Sequence, residues 1–115
     1  MKTTLTVLLL IGLAMPAFAD TTPIGFKSIN VPDAQRPLQM VVWYPAATAA
    51  TPELIRDDAV FFGALAVPDA PAASGEHPLV VLSHGYGGNW GNQVWLASAL
   101  AHQGYIVAAV NHPGT

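Results

Sequence analysis

The stretch that decides the fold is residues 78–114: PLVVLSHGYGGNWGNQVWLASALAHQGYIVAAVNHPG. It begins with a continuous apolar run, residues 79–82, which is typical of a central parallel strand buried on both faces. A glycine-rich loop, residues 83–89, follows at once and predicts a tight backbone turn, since glycine tolerates positive φ. The stretch therefore predicts a strand that leads directly into a loop able to approach a ligand closely.

A helix and a second strand complete this unit. Residues 93–103 place Leu and Ala residues on one helical face, with Asn92 as the expected N-cap and Gly104 as the residue that ends the helix. Residues 105–110 form a second apolar run. Strand, loop, helix and strand in so short a stretch predict a βαβ unit of a mostly parallel sheet.

The first half of the chain predicts an antiparallel start to the same sheet. Residues 25–29 and 38–44 carry strand patterns, and the turn composition of residues 31–34 lies between them. Residues 46–78 are mixed in composition and predict a long, partly ordered surface connection with one short strand near residues 60–66. The predicted fold class is therefore α/β.

The N-terminus has the features of an export signal. Lys2 precedes an apolar run that is shorter than the roughly 20 residues needed to span a bilayer, and Ala17-Phe18-Ala19 matches a cleavage site. We expect residues 1–19 to be a signal peptide and residues 20–115 to form one domain of an exported, periplasmic or secreted protein. No transmembrane segment is expected after cleavage.

Composition excludes several partners. The net charge is −3 at pH 7 with four Lys and Arg residues in all, so a nucleic-acid partner is not expected. The chain has no cysteine, hence neither disulfides nor thiolate metal sites. The histidine spacings match no helical ligand pair, and we expect neither metal nor cofactor.

The loop at residues 83–89 suits one of two chemistries, phosphate binding or oxyanion stabilisation. A dinucleotide fingerprint G-x-G-x-x-G would need glycine at Trp90, and no acidic residue follows Glu76. A P-loop needs a lysine, and no Lys or Arg follows Arg56. Spacing therefore excludes both nucleotide motifs and favours an oxyanion loop, with a plain tight turn as the alternative.

Residues 78–88 resemble the corresponding segment of the dienelactone-hydrolase-like and platelet-activating-factor-acetylhydrolase-like families of α/β-hydrolases. Residues 96–112 are similar to their next helix and strand, and residues 43–45 to an early strand end. The resemblance implies the N-terminal portion of an α/β-hydrolase fold. It implies an oxyanion hole to which Tyr86 contributes its backbone N–H, with His84, Gly85, Gly87 and Gly88 supporting the loop.

The remaining catalytic residues are expected elsewhere. No serine of the sequence lies in G-x-S-x-G, and His77, His102 and His112 precede any such position, which is the wrong order for the base. Ser83 and His112 are interpreted as structural. We therefore expect a truncated sequence that itself lacks nucleophile, acid and base.

The whole protein is expected to be a serine ester hydrolase that forms an acyl-enzyme. Its substrate class would be a carboxylic ester, a lipid acyl ester or a lactone. The dienelactone-hydrolase-like relatives leave a cysteine nucleophile open. The alternative hypothesis is a non-catalytic binding module on a hydrolase-derived scaffold.

Overall fold

The computed structural model describes residues 22–33 and 35–114. The expected signal peptide, residues 1–19, lies outside the described residues. The described elements, in chain order, are β1 (Ile24–Val31), β2 (Leu38–Pro45), β3 (Glu53–Ile55), β4 (Ala64–Pro68), β5 (Leu79–Ser83), a 3₁₀ turn (Trp90–Gln93), α1 (Val94–His102) and β6 (Ile106–Asn111).

The described strands form a mixed sheet in the order β3-β4-β1-β2-β6-β5. The pairs β1–β2 and β2–β6 are antiparallel, and β5–β6 is parallel with α1 as its crossover. The antiparallel start and the βαβ unit are both confirmed, and so is the α/β class.

The first hairpin is longer than the sequence predicts. Its strands pair from Ile24 opposite Pro45 to Val31 opposite Leu38. One carboxylate oxygen of Asp33 accepts hydrogen bonds from the backbone N–H groups of Gln35 and Arg36, both at 2.8 Å. These two bonds hold the pKa of Asp33 below its ordinary value and explain why the turn forms here.

The middle connection is more ordered than expected. It holds a short antiparallel hairpin, in which Ile55 of β3 pairs with Ala64 of β4, and β4 continues in parallel beside β1. The strand expected near residues 60–66 begins only at Ala64, because Val60 and Phe61 lie in the bend between β3 and β4. The apolar cluster at residues 60–62 therefore marks a loop.

The main core lies between α1 and one face of the sheet. Trp43, Val41 and Val107 have at most 1% of their surface exposed, and they face the buried Val94, Ala97 and Ala101 of α1. Phe26 packs edge-on against Trp43, with ring centroids 4.8 Å apart. Of the expected helical face, Ala97 and Ala101 are buried against the sheet, whereas Leu96 and Leu100 are only half-buried.

β5 differs from its expected central position. It is the edge strand of the described sheet, and Leu79 and Val81 are 63% and 60% exposed. β6 carries smaller apolar side chains than β5, and it occupies the interior position between β2 and β5. A continuous apolar run identifies a parallel strand but not its neighbours, because strand order depends on distant parts of the chain.

Across residues 22–33 and 35–114, no helix combines the length and apolar character needed to cross a bilayer.

Tyr44 packs in a small apolar cluster on the second face of the sheet. Its hydroxyl donates a 2.7 Å hydrogen bond to the carbonyl of Ala70, and its ring covers Gly25, where any side chain would collide with it. Burial raises the pKa of the Tyr44 phenol above its ordinary value, with a smaller contribution from the negative charge of Asp69. Tyr44 thus ties β2 to the segment that follows β4.

Tyr44→Phe is expected to lower the free energy of unfolding by about 1–2 kcal/mol, because the Ala70 carbonyl loses its buried partner. The folded state favours the neutral phenol, so wild-type stability should also fall as the pH rises above the ordinary tyrosine pKa of 10.0. Urea unfolding at neutral and alkaline pH measures both effects. An equally steep alkaline loss in Tyr44→Phe would contradict this assignment.

Candidate active site

The glycine-rich loop lies where two parallel strands end. β5 ends at Ser83 and β6 at Asn111, and Ser83 pairs with Val110, so both carboxyl ends meet at one edge of the sheet. Open α/β sheets bind their ligands at this edge. The loop therefore lies where open α/β sheets commonly bind ligands.

The loop contains a type II turn from Gly85 to Gly88. Gly88 N–H donates to the Gly85 carbonyl at 3.0 Å, and Gly87 has φ of +72° while Tyr86 has a negative φ. Among the common turn types, positive φ at the third residue alone is the signature of type II, and it favours glycine there.

The three loop glycines have different roles. Gly87 is required for its backbone conformation. Gly88 is favoured for space, because a Cβ there would lie 2.9 Å from Asn92 Nδ2 and 3.1 Å from His84 Cβ, so these side chains would have to shift. Gly85 has neither constraint, since its φ is not positive and a Cβ would meet nothing within 4 Å.

Tyr86 is presented at the tip of this turn. Its side chain is 100% exposed, and no described residue accepts a hydrogen bond from its backbone N–H. A backbone donor left without an acceptor at a ligand-binding edge has the property that an oxyanion donor needs. The geometry is therefore compatible with the role that the resemblance implies for Tyr86.

His84 bonds to the loop, in keeping with its expected supporting role. Its Nδ1 lies 2.8 Å from the Gly85 carbonyl oxygen, and its Nε2 accepts a 3.2 Å hydrogen bond from the backbone N–H of His112. The His84 and His112 rings also pack edge-to-face, with centroids 4.7 Å apart. His84 thus connects the loop to the end of β6.

Ser83 and His112 are brought together, which sequence reasoning missed. Ser83 Oγ and His112 Nε2 share a 2.7 Å hydrogen bond, although 29 positions separate them. This is the distance expected of a nucleophile and its base. However, Ser83 does not lie in G-x-S-x-G, because Val81 stands at the first glycine position, although Gly85 fits the second. We therefore assign the pair to the support of the loop.

The helix start corrects one expectation. The expected N-cap Asn92 is the third residue of the 3₁₀ turn, which Asn89 caps, and the N-cap of α1 is Gln93, which makes no side-chain cap bond. Asn89 Oδ1 accepts from Gly91 N–H at 2.8 Å, while Asn92 Oδ1 accepts from Asn89 N–H at 3.2 Å. The 3₁₀ turn starts the helical backbone before the apolar pattern begins. The α-helix itself covers Val94–His102, instead of the expected residues 93–103. Gly104 ends it with φ of +95°, as predicted.

The 3₁₀ turn is anchored from β6. Trp90 N–H donates to Asn111 Oδ1 at 2.8 Å, and Asn111 Nδ2 donates to Gln39 Oε1 at 3.0 Å. Asn111 therefore links the loop to β2, two strands away from β5. The sequence alone does not indicate that Asn111, a polar residue at a strand end, makes this link.

Arg56 packs the β3–β4 hairpin against the same turn. Its guanidinium carbon lies 5.0 Å from the Phe61 ring centroid and 5.5 Å from that of Trp90, within the range of cation–π attraction. Its Nε lies 3.3 Å from Asp58 Oδ2, and the pKa of Asp58 is lowered chiefly by hydrogen bonds from the backbone of Val60 and Phe61. Arg56 has a left-handed φ of 60°.

The remaining candidate side chains lie away from the loop. His102 bonds to the Thr22 carbonyl at 3.1 Å and His77 to the Gly104 carbonyl at 3.0 Å, both beyond the opposite edge of the sheet. Ser98 Oγ donates to the Trp95 carbonyl within α1. Among the described residues, His, Asp and Glu form no group of three that could hold a metal ion.

A groove of about 360 Å³ adjoins the loop support. Its lining mixes apolar and polar side chains: Val31, Asp33, Arg36, Leu38, His112 and Pro113. The groove thus lies beside the end of β6, and its lining does not include Tyr86.

Two comparisons show what this chain is similar to. Residues 63–114 match the family model described as platelet-activating factor acetylhydrolase, isoform II. The structure is similar to the ferulic acid esterase from Streptomyces cinnamoneus, with a TM-score of 0.71 and 31% sequence identity. The similarity covers 86% of this chain. The chain has the fold of part of an α/β-hydrolase.

The hydrolase fold is only partly spanned by this chain, which covers 35% of the length of the ferulic acid esterase. Both similar proteins are hydrolases by name, so the expected resemblance to α/β-hydrolases of the acetylhydrolase type is confirmed. No curated protein matches the chain significantly.

Gly87→Ala is expected to be about 1–2 kcal/mol less stable than Gly85→Ala, because only Gly87 requires positive φ. Both substitutions restrict the unfolded chain equally, so their difference isolates the strain of the turn. Chemical denaturation of the two variants measures it. Equal stabilities would contradict the type II assignment.

Proposed function

We propose that the whole protein is an exported serine ester hydrolase in which Tyr86 N–H stabilises the oxyanion. The observation that supports this most directly is the Tyr86 N–H, which has no acceptor among the described residues and lies at the carboxyl edge of a hydrolase-type sheet. The match of residues 63–114 to an acetylhydrolase model and the likeness to an esterase favour acyl esters as the substrate class.

The proposed reaction passes through an acyl-enzyme. A serine hydroxyl attacks the ester carbonyl while a histidine base takes its proton, and the carbonyl oxygen becomes an oxyanion. The alcohol leaves with that proton, and water then releases the acid by the same route. Tyr86 N–H would donate to the oxyanion in both steps, and a backbone donor fixed in advance needs no reorganisation as charge develops.

We propose that the nucleophile, acid and base belong to residues outside this sequence, which contains no G-x-S-x-G. Export is proposed on the pattern of residues 1–19 alone. Carboxylic esters, lipid acyl esters and lactones all contain a carbonyl whose oxyanion Tyr86 N–H could stabilise. A cysteine thiol could replace the serine as nucleophile.

The type II turn allows the donor to be removed selectively. Tyr86 is the second residue of the turn, where proline is favoured, so Tyr86→Pro removes the N–H and keeps the turn. We expect kcat for a p-nitrophenyl ester to fall by about 10²–10³-fold in the whole protein, with KM changed little. Tyr86→Ala keeps the N–H and is the matched control, with a much smaller loss expected.

Probe labelling identifies the nucleophile in the same protein. A fluorophosphonate adduct on a G-x-S-x-G serine supports the proposal, and labelling of a cysteine by iodoacetamide instead would revise the nucleophile. If neither probe reacts and no ester is hydrolysed, the non-catalytic binding module becomes the better account. Equal kcat values for Tyr86→Pro and Tyr86→Ala would exclude the Tyr86 donor.

A further inference from the structure

The orientation of Tyr86 N–H depends on the carbonyl that precedes it. Gly85 C=O faces two donors at once, Gly88 N–H at 3.0 Å and His84 Nδ1 at 2.8 Å. A carbonyl oxygen has two lone pairs, so both can be accommodated. Because a trans peptide is planar, its N–H points opposite to its C=O. Fixing the Gly85 carbonyl toward the loop interior therefore directs Tyr86 N–H outward.

The second of these bonds requires one tautomer of His84. A backbone N–H only donates, and that of His112 donates to His84 Nε2 at 3.2 Å, so Nε2 must be unprotonated. A neutral imidazole with a bare Nε2 carries its proton on Nδ1, which is the nitrogen that faces the Gly85 carbonyl. The His112 peptide thus selects the tautomer that can donate to the loop.

His112 is itself held in place for this role. Its Nε2 shares the 2.7 Å hydrogen bond with Ser83 Oγ, and its ring packs on that of His84. Ser83 ends β5, and His112 directly follows β6. The bonds therefore connect two rigid strand ends to one peptide group of the turn.

We propose that His84 is a positioning residue that acts as the neutral Nδ1–H tautomer, selected by the His112 backbone, to hold the Gly85–Tyr86 peptide in its donating orientation. This role rests on the proposed function of Tyr86. Neither His84 nor His112 touches the substrate in this account, and the base remains a separate histidine.

Two conservative substitutions separate the nitrogens of His84. His84→Asn places an amide N–H near the Nδ1 position, so it can still donate to Gly85 but does not reach His112. His84→Gln places its amide near the Nε2 position, so it keeps an acceptor for His112 and leaves Gly85 with one donor. His84→Ala removes both bonds.

In the whole protein we expect His84→Ala and His84→Gln to lose about 10-fold in kcat with KM within about two-fold, because the oxyanion contact forms only in the transition state. His84→Asn should recover most of that loss. His102→Ala is the matched control, since it deletes a ring Nδ1–carbonyl contact of the same kind at the opposite edge, and its kcat should equal that of the wild type.

The tautomer is measured without reference to activity. Long-range ¹H–¹⁵N correlation spectra of the wild type at neutral pH should show His84 protonated at Nδ1, with the signals assigned by their loss in His84→Asn. A His84 ring protonated at Nε2, or at both nitrogens, would overturn the inference.

The two proposals fail differently. An inactive wild type that resists both probes removes the proposed function, while the spectra still decide the tautomer. An active wild type whose His84→Asn and His84→Ala variants have the same kcat removes the positioning role and leaves the hydrolase proposal standing. Thermal melts of all variants are compared, and a kcat loss that follows only the loss of folded protein also overturns the positioning role.

Discussion

The parallel pairing of β5 with β6 is the constraint on which the site depends. Its register sets Ser83 beside Val110, so the residues that follow each strand meet at one edge. His84 and His112 contact each other only because of this register, and Asn111 reaches Trp90 for the same reason. A shift of the pairing by one residue would turn every side chain of β5 to the other face. The loop geometry is therefore a consequence of strand pairing and cannot be built by the loop alone.

Local features of the fold could be predicted from the sequence because they depend on neighbouring residues. The apolar runs of β5 and β6, the end of α1 at Gly104 and the glycine turn all express short-range preferences. Strand order could not be predicted in the same way, since it depends on pairings between distant segments. That is why β5 lies at the edge of the described sheet although its composition is typical of a central strand. Asn89 and Asn92 illustrate the same limit, since either is a good cap until the preceding 3₁₀ turn is known.

Some features of the candidate site could likewise be predicted from the sequence, and others could not. The loop and its unusual glycine are visible in the sequence, because Gly87 stands where a turn needs positive φ. The hydrogen bonds that support the loop are not visible, because Ser83 and His112 are 29 positions apart and each has an ordinary structural explanation by itself. Arg56 is a further example. Its packing between Phe61 and Trp90 joins the middle hairpin, the least informative part of the sequence, to the helix start behind the loop.

A donor supplied by the backbone places unusual demands on its surroundings. The side chain of Tyr86 is fully exposed and contributes nothing to holding its own N–H, so every bond that fixes that group must act on its neighbours. Only the preceding carbonyl can be held directly, because the planar peptide couples the two groups rigidly. Two donors on one carbonyl restrict its direction more than one donor does. The turn supplies the first donor and His84 supplies the second. In this loop the presentation of Tyr86 N–H therefore depends on a side chain outside the four-residue turn, and the end of β6 anchors that side chain.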